Sequence, residues 1–179
     1  MLVERTTSTK QIYEGLAVKL KVETVQKSNG HKATREIVEH ANCIAAVVLD
    51  SQHHVLLVNQ YRKAVGKALL EIPAGSIDPG EEPIEAVSRE LQEEIGYLPG
   101  KIEKLGGFYV APGYCTEYLH LYVATDLTPS KLQAEDTDGI DVIKVPLAEI
   151  PEMIASGDIC DAKSIAGLLR VISLGIEGK

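Results

Sequence analysis

Three glutamates near the end of one predicted helix are the residues best suited to do chemistry. Glu90, Glu93 and Glu94 lie in the second half of a segment that runs from Pro83 to Gly96. At about 100° per residue, Glu90 and Glu94 fall together beside the apolar stripe, and Glu93 lies further round on the exposed side. Hard cations such as Mg²⁺ prefer oxygen ligands. The segment therefore predicts either a solvated acidic helix face or a divalent-cation site.

The degree of burial distinguishes these two interpretations. Like charges one helical turn apart on a solvated helix cost only about 0.2–0.5 kcal/mol per pair. In a partly buried cleft, two carboxylates about 4 Å apart would repel by roughly 4 kcal/mol at an effective dielectric constant near 20. A divalent cation bound between them would turn that repulsion into attraction. An exposed cluster thus needs no cation, whereas a buried cluster indicates one.

Local signals bound this helix on both sides. Pro79 and Gly80 favour a turn, Pro83 suits the first helical turn, and Gly96 suits a left-handed C-terminal cap. The helix also carries an apolar stripe that would pack on a core, formed by Ile84, Val87, Leu91 and Ile95. The three glutamates are therefore expected on the flank of a packed helix, at the end of a glycine-bearing loop.

The wider register of this segment resembles the Nudix box, the signature of hydrolases that cleave nucleoside diphosphates linked to another moiety. The matching positions are Gly75, five residues, Glu81, seven residues, Arg89-Glu90-Leu91, one residue, Glu93-Glu94, one residue and Gly96. Tyr97 follows where the family usually has an aliphatic residue. The flanks are similar to bacterial ADP-ribose pyrophosphatases: Gln60-Tyr61-Arg62, Ala64-Val65-Gly66 and Glu71-Ile72-Pro73-Ala74-Gly75 precede the box, and Pro112 lies sixteen residues after Gly96.

The resemblance implies an α/β fold, the Nudix α/β/α sandwich with a mixed β-sheet and an N-terminal antiparallel β-strand arm. Residues 1–41 would form the arm, exchanged between the subunits of a homodimer so that it completes the partner's site. Residues 42–179 would form the Nudix hydrolase domain as one structural unit. Length agrees with this organisation, because 179 residues suffice for one core.

Periodicity predicts the individual elements. Alternating apolar residues indicate one strand over Gln11–Thr24, and Ser28-Asn29-Gly30 indicates a turn before a returning strand over Thr34–His40. Two continuous apolar runs predict central strands that are buried on both faces. The remaining segments are strands at 43–50, 55–62, 69–72, 101–110, 118–125 and 140–145, and helices near 147–156 and 162–174.

The box register also implies a set of metal ligands. Glu90 and Glu94 would be the primary Mg²⁺ ligands, joined by the backbone carbonyl of Ala74 or of the next residue, with Mn²⁺ as a possible substitute. Glu93 would bind a second or third cation that arrives with the substrate. Glu81 would either cap the amino end of the helix or bind a water-bound metal.

Catalytic roles follow from the same register. Arg89 lies four residues before Glu93, which is the spacing for a salt bridge that holds the carboxylate in place. The general base would be a carboxylate, and three residues are open for that role: Glu93 in the box, and Asp136 or Asp138 in the acidic loop that follows the strand at 118–125.

Substrate-binding residues are expected from the flanks. Arg62 suits a phosphate contact, because a guanidinium matches phosphate oxygens in a fork, and its alternative is a salt bridge at the rim. On the predicted returning strand, Glu36 resembles an adenine contact or is an exposed strand residue, and Arg35 lies beside it. Pro112 and Gly113 complete the expected set.

Charge and composition exclude several other classes. The chain has 18 basic and 26 acidic residues, a net charge of −8, and no clustered Lys and Arg that would mark a nucleic-acid site. We expect no membrane span and no signal peptide, because apolar runs are short. The three cysteines lack metal-ligand spacing and suit reduced thiols in the cytoplasm.

The resemblance thus implies a metal-dependent hydrolase that cleaves ADP-ribose, or a related nucleoside diphosphate sugar, to AMP and ribose 5-phosphate. An alternative is the same chemistry on GDP-mannose, NADH, FAD or a nucleoside triphosphate. A third interpretation is a non-catalytic Nudix domain that senses nucleotides.

Overall fold

A computed structural model describes residues 3–134 and 139–178 of the chain. Strands and helices alternate along these residues in an α/β pattern. The strands are β1 (Arg5–Glu14), β2 (Lys19–Gln26), β3 (Lys32–Glu39), β4 (Cys43–Leu49), β5 (His54–Arg62), β6 (Lys67–Glu71), β7 (Ala74–Ser76), β8 (Tyr97–Tyr109), β9 (Tyr118–Pro129) and β10 (Asp141–Pro146). The helices are α1 (Pro83–Glu94), α2 (Ile150–Ser156) and α3 (Ala162–Ser173). A 3₁₀ turn at Leu147–Glu149 leads into α2.

The described residues fall into two units. The N-terminal unit contains the residues up to Asn42 together with the segment Tyr109–Tyr118. The main unit contains Cys43–Phe108 and the residues from Leu119 onward. Among the described helices, none is long and apolar enough to cross a membrane.

The N-terminal unit is a three-stranded antiparallel sheet in the order β1-β2-β3. The single strand predicted over Gln11–Thr24 is wrong, because the chain turns at residues 15–18 and divides that range between β1 and β2. The Gly15 N–H donates to the Val18 carbonyl at 3.0 Å in this turn. Alternation of apolar residues continues through the turn, where Leu16 is fully exposed, so the period alone does not reveal it. The turn predicted at Ser28-Asn29-Gly30 is present, with Gly30 at φ +82°.

The main unit contains one seven-stranded mixed sheet. Its strand order is β10-β5-β4-β9-β8, with β6 paired to β5 and β7 paired to β4. Strand β4 pairs in parallel with β9 and antiparallel with β5. The predicted mixed sheet is therefore confirmed.

Strand β4 lies at the centre of the sheet and is buried on both faces, as its apolar run predicted. Its side chains alternate between two hydrophobic clusters because successive residues of a strand point to opposite faces. One cluster joins Ile44, Ala46 and Val48 to Ala86, Val87 and Leu91 of α1. The other joins Ala45, Val47 and Leu49 to Leu168 and Val171 of α3. One helical layer on each face gives the predicted α/β/α arrangement.

Helix α3 gives a direct test of this packing. Leu168 is fully buried against the sheet, whereas the adjacent Leu169 is 44% exposed. We expect Leu168→Ala to lower the free energy of unfolding by about 2–5 kcal/mol, since it leaves a cavity in the core. Leu169→Ala should change it by less than about 0.5 kcal/mol. Urea denaturation of both variants measures the difference, and equal losses would contradict this orientation of α3.

Candidate active site

Helix α1 has the boundaries that its sequence predicted. It begins at Pro83 and ends before Gly96, which has φ +76°. The N-cap residue is Glu82, whose N–H donates to the Glu85 carboxylate at 3.2 Å. The interpretation of Glu81 as the helix cap is therefore wrong. The Glu81 carboxylate instead accepts the Asp78 N–H at 3.0 Å, within the loop that precedes the helix.

The segment before the box is more regular than the predicted loop. Residues Ala74–Ser76 form the short strand β7, which pairs with β4 so that Gly75 lies opposite Ile44. This pairing brings the backbone of β7 against α1. A Cβ atom at Gly75 would lie 2.0 Å from the Glu90 carboxyl carbon, so only glycine leaves room for that carboxylate. The Ala74 N–H donates to Glu94 Oε2 at 3.1 Å.

Arg89 connects the glutamates of the helix to the loop. Its Nε and Nη2 donate to the two carboxylate oxygens of Glu81 at 2.9 and 3.0 Å. Its Nη1 donates to Glu90 Oε1 at 2.8 Å and to Glu93 Oε2 at 3.0 Å, so the predicted pair of Arg89 with Glu93 is present. Nη2 also donates to the Ser76 carbonyl at 2.9 Å. These bonds raise the pKa of Arg89 and engage all five of its N–H groups.

Glu90 and Glu94 are the acidic residues of the site whose pKa burial raises; Glu94 is buried and Glu90 is half-buried. Glu94 is only 7% exposed, and burial together with the charge of Glu90 raises its pKa to about 7. Burial also raises the pKa of Glu90, although Arg89 donates to it. These carboxylates therefore match the partly buried cleft, in which a bound cation would offset both the burial and the repulsion. Because the atoms that these carboxylates offer as metal ligands are all oxygens, the cluster suits a hard divalent cation such as Mg²⁺.

These carboxylates open onto a cleft of about 340 Å³ in the main unit. Its lining includes Arg62 of β5 and the β7 backbone opposite the glutamates of α1. The Arg62 guanidinium forms a two-bond pair with Glu71, at 2.9 Å from Nε to Oε1 and 2.7 Å from Nη2 to Oε2. Thus the structure brings Ala74, Glu81, Arg89, Glu90, Glu93, Glu94 and Arg62 together.

Sequence reasoning missed Glu71 and Lys163 near this cleft. Glu71 is 1% exposed, and Lys163 of α3 forms an ion pair with its Oε2. The available signal was a charged residue inside an apolar run, since Glu71 stands between Leu70 and Ile72. A charge in such a position is rarely buried unless it is paired.

The other predicted substrate-binding residues belong to the N-terminal unit. Arg35 forms a salt bridge with Glu4, and Glu36 is exposed on β3. Pro112 and Gly113 are exposed in a turn that the Tyr114 N–H closes by donating to the Ala111 carbonyl at 3.1 Å. Asp136 and Asp138, the two predicted bases of the acidic loop, lie outside the described residues.

A protein-family model described as NUDIX domain matches residues 39–167. The chain belongs to the Nudix family. The family predicted from the box register is thus confirmed. The prediction that the protein is a Nudix pyrophosphohydrolase is confirmed with it. Nudix enzymes generally depend on divalent metals, in agreement with the oxygen donors of α1. Tyr97, the departure from the usual box, packs against the hydrophobic cluster under α1, so its aromatic ring serves the same packing role.

Proteins that are similar in sequence and in structure support this membership. The chain is 37% identical over 164 residues to a methanol dehydrogenase activator of Bacillus methanolicus, covering 90% of this chain and 89% of the relative. It is 34% identical over 165 residues to an ADP-ribose pyrophosphatase of Bacillus subtilis, with coverages of 91% and 89%. The crystal structure of an ADP compounds hydrolase matches with a TM-score of 0.87 at 24% identity, covering 96% of this chain and 93% of that one. This last likeness confirms the fold.

Gly75 offers a test of the carboxylate arrangement. We expect Gly75→Ala to displace the Glu90 carboxylate and to weaken Mn²⁺ binding by about tenfold or more, because the added Cβ occupies its place. Isothermal titration calorimetry measures the affinity. Ser88→Ala on the same helix is the control, with unchanged affinity expected. A Gly75→Ala variant that binds Mn²⁺ like the wild type would contradict a role for this close approach.

Proposed function

We propose that this protein is a divalent-metal-dependent ADP-ribose pyrophosphatase that releases AMP and ribose 5-phosphate. The observation that carries the proposal is a pair of carboxylates, the buried Glu94 and the half-buried Glu90, in the same cleft as the guanidinium of Arg62. Carboxylates and a guanidinium in one cleft suit a cation-bound diphosphate. The choice of ADP-ribose is supported by relatives named ADP-ribose pyrophosphatase in Bacillus subtilis and Mycobacterium tuberculosis.

The metal would be held by the carboxylates of Glu90 and Glu94 and the Ala74 carbonyl. Glu93 and Glu81 would serve further cations that enter with the substrate. We propose Mg²⁺, with Mn²⁺ as a substitute. When bound, such cations supply Lewis-acid neutralisation of the diphosphate oxygens and make a water more acidic.

The remaining work belongs to side chains of this protein. Arg62 would bind a phosphate group of the substrate and fix its position against the carboxylates. Arg89 would hold Glu81, Glu90 and Glu93 in place from the side of the loop, and its five engaged N–H groups leave it no donor for the substrate. Arg89 is therefore a positioning residue.

Hydrolysis then needs one proton acceptor. A water oxygen forms the new bond to phosphorus, the P–O–P bridge breaks, and one phosphate leaves with the bridging oxygen. A carboxylate takes the proton of the attacking water. We propose Glu93, which lines the cleft, as this base, and Asp136 and Asp138 are the alternatives.

We also propose that the protein is a cytoplasmic homodimer in which residues 1–41 reach the partner's site, with residues 42–179 as the hydrolase domain. Arg35, Glu36, Pro112 and Gly113 would then contact the adenosine part of the substrate. Support comes from β1, whose ten residues are all exposed, including the apolar Ile12 and Tyr13. An uncovered strand with apolar side chains favours a second chain.

The enzymatic proposal is tested by phosphate release, coupled through alkaline phosphatase, from ADP-ribose, ADP-glucose, GDP-mannose, NADH, FAD and dNTPs with Mg²⁺. We expect ADP-ribose to be cleaved fastest. Glu94→Gln should lower kcat/KM by about 100-fold or more, since it removes a charged ligand. Glu85→Gln is the matched control on the same helix, because glutamine still accepts the capping hydrogen bond.

Two outcomes would contradict this proposal in different ways. Faster cleavage of another compound would reject ADP-ribose as the substrate but keep the chemistry. Binding of ADP-ribose without turnover of any compound would favour the sensing domain instead.

Light scattering tests the proposed dimer. The wild type should have twice the mass of one 19.4 kDa chain. Replacing Ile12 and Tyr13 together by serine should raise the dimer dissociation constant by about tenfold or more, because both apolar side chains would leave the interface. Leu174→Ser, at a residue that is 58% exposed in the main unit, is the control. A wild-type protein of monomer mass would reject the exchanged arm.

A further inference from the structure

Glu71 is a fully buried carboxylate of the main unit. Among the described residues, no other carboxylate buried to this extent lacks a role in the proposed mechanism. Glu71 ends β6, it is 1% exposed, and both of its oxygens accept from Arg62. Lys163 of α3 donates to Oε2 as well. Burial raises the pKa of Glu71, but the bonds and charges of Arg62 and Lys163 outweigh it, so the pKa lies below its ordinary value. The carboxylate is therefore charged at neutral pH.

Glu71 belongs to a closed ring of contacts between β6 and α3. Lys163 Nζ also donates to Asp161 Oδ2 at 2.9 Å. Asp161 caps α3 by accepting the Ser164 N–H at 3.0 Å, and it accepts the Ser164 hydroxyl at 2.6 Å. The Ser164 oxygen accepts the N–H of Ile72, the residue after Glu71, at 2.9 Å. The ring fixes both the backbone and the carboxylate at this point of the chain.

The pairing of Arg62 with Glu71 does not follow from the register of the hairpin. In the β5–β6 pair, Arg62 lies opposite Lys67, and Glu71 lies opposite Val58. Glu71 is four residues past Lys67, which corresponds to about 13 Å along a strand. The Arg62 side chain must therefore extend along the sheet to reach Glu71, pointing away from the turn that joins β5 to β6.

Stability alone is a weak reason for this arrangement. Buried ion pairs often contribute little compared with apolar residues of similar volume, because desolvation opposes the attraction. A fixed geometry is the more direct consequence of two parallel bonds to one guanidinium. Only Nε and Nη2 are engaged, and Nη1 makes no hydrogen bond to any described residue. Arg62 lines the cleft with its side chain 39% exposed.

On these contacts, we propose that Glu71, held in place by Lys163, is a positioning residue that presents the Nη1 edge of Arg62 to a phosphate group of the substrate. The inference rests on the proposed diphosphate hydrolysis. Lys163 acts through Glu71, since it holds this carboxylate in one orientation, and Asp161 acts through Lys163, to which it is paired. Without Glu71, Arg62 would sample many rotamers on the exposed rim of the cleft and bind phosphate less well.

A double-mutant cycle on kcat/KM tests this role. We expect Arg62→Ala to lower kcat/KM by roughly 10- to 100-fold and Glu71→Gln to lower it by about tenfold, mainly through a higher KM. Glu71→Gln added to Arg62→Ala should change kcat/KM by less than about twofold, because the positioned group is already gone. A full tenfold loss in both backgrounds would overturn the proposal, since a structural role does not depend on Arg62.

Chemical rescue by guanidinium ion measures an effect on KM that a merely structural role of Glu71 would not produce. Guanidinium ion should partly restore KM in Arg62→Ala, because Glu71 can hold it as it holds the side chain. It should restore nothing in the double variant. Equal rescue of both would overturn the proposal. Asp50→Asn is the control for destabilisation: it removes a carboxylate that pairs with Lys144 at the β4–β5 turn, and kcat/KM should be unchanged.

The design keeps this inference separate from the substrate assignment. The cycle uses whichever diphosphate the wild type cleaves fastest, so a different substrate rejects ADP-ribose and still tests Glu71. If nothing is cleaved, the same cycle is measured on the Kd of ADP with Ca²⁺ by calorimetry, with the same expected pattern. If Glu71→Gln does not fold, Glu71→Asp takes its place, because the shorter carboxylate keeps the charge but cannot keep both bonds.

Discussion

The burial of two neighbouring carboxylates, Glu90 and Glu94, is the constraint on which this site depends. In water two such charges on one helix would cost little, but the packing of α1 on the sheet removes much of their solvent. Arg89 and an N–H of β7 offset part of this cost, but the pKa of Glu94 is still raised, first by burial and then by the charge of Glu90. A cation bound between the carboxylates would offset both the burial and the repulsion. A tightly packed helix is thus a precondition of the chemistry.

The two arginines near the cleft, Arg89 and Arg62, have different roles. Arg89 gives all five N–H groups to protein oxygens, so it shapes the acidic cluster and has none left for a ligand. Arg62 is bonded to Glu71 through Nε and Nη2 only, and its Nη1 makes no hydrogen bond to a described residue. Both are guanidiniums that pair with glutamates, and the difference between them lies in how many donors their partners use. Sequence spacing could not reveal that difference.

How much the sequence could predict depends on the range of the contacts. The bounds of α1, the flank of Glu90 and Glu94 and the pair of Arg89 with Glu93 are set within one or two helical turns, and the residue spacing was sufficient for them. The division of the Gln11–Thr24 range into two strands depends on a turn whose apolar residues imitate a strand. The role of Glu71 depends on Lys163, 92 positions later, and on a diagonal contact across the hairpin. No local pattern contains such information.

One short segment, Glu71 to Ser76, connects the two helical layers. Its first two residues are bonded to α3, through Lys163 and Ser164, and its later residues lie against α1. Between these ends, the Pro73 carbonyl accepts the Ala46 N–H of the central strand at 3.0 Å. A shift of this segment toward either helix would break bonds to the other. Because the same six residues carry the Glu71 partner of Arg62 and the backbone that faces Glu90 and Glu94, they set the separation between the phosphate-binding edge and the proposed cation site. Helix α3, on the opposite face of the sheet from α1, therefore takes part in the geometry of a site that it does not line.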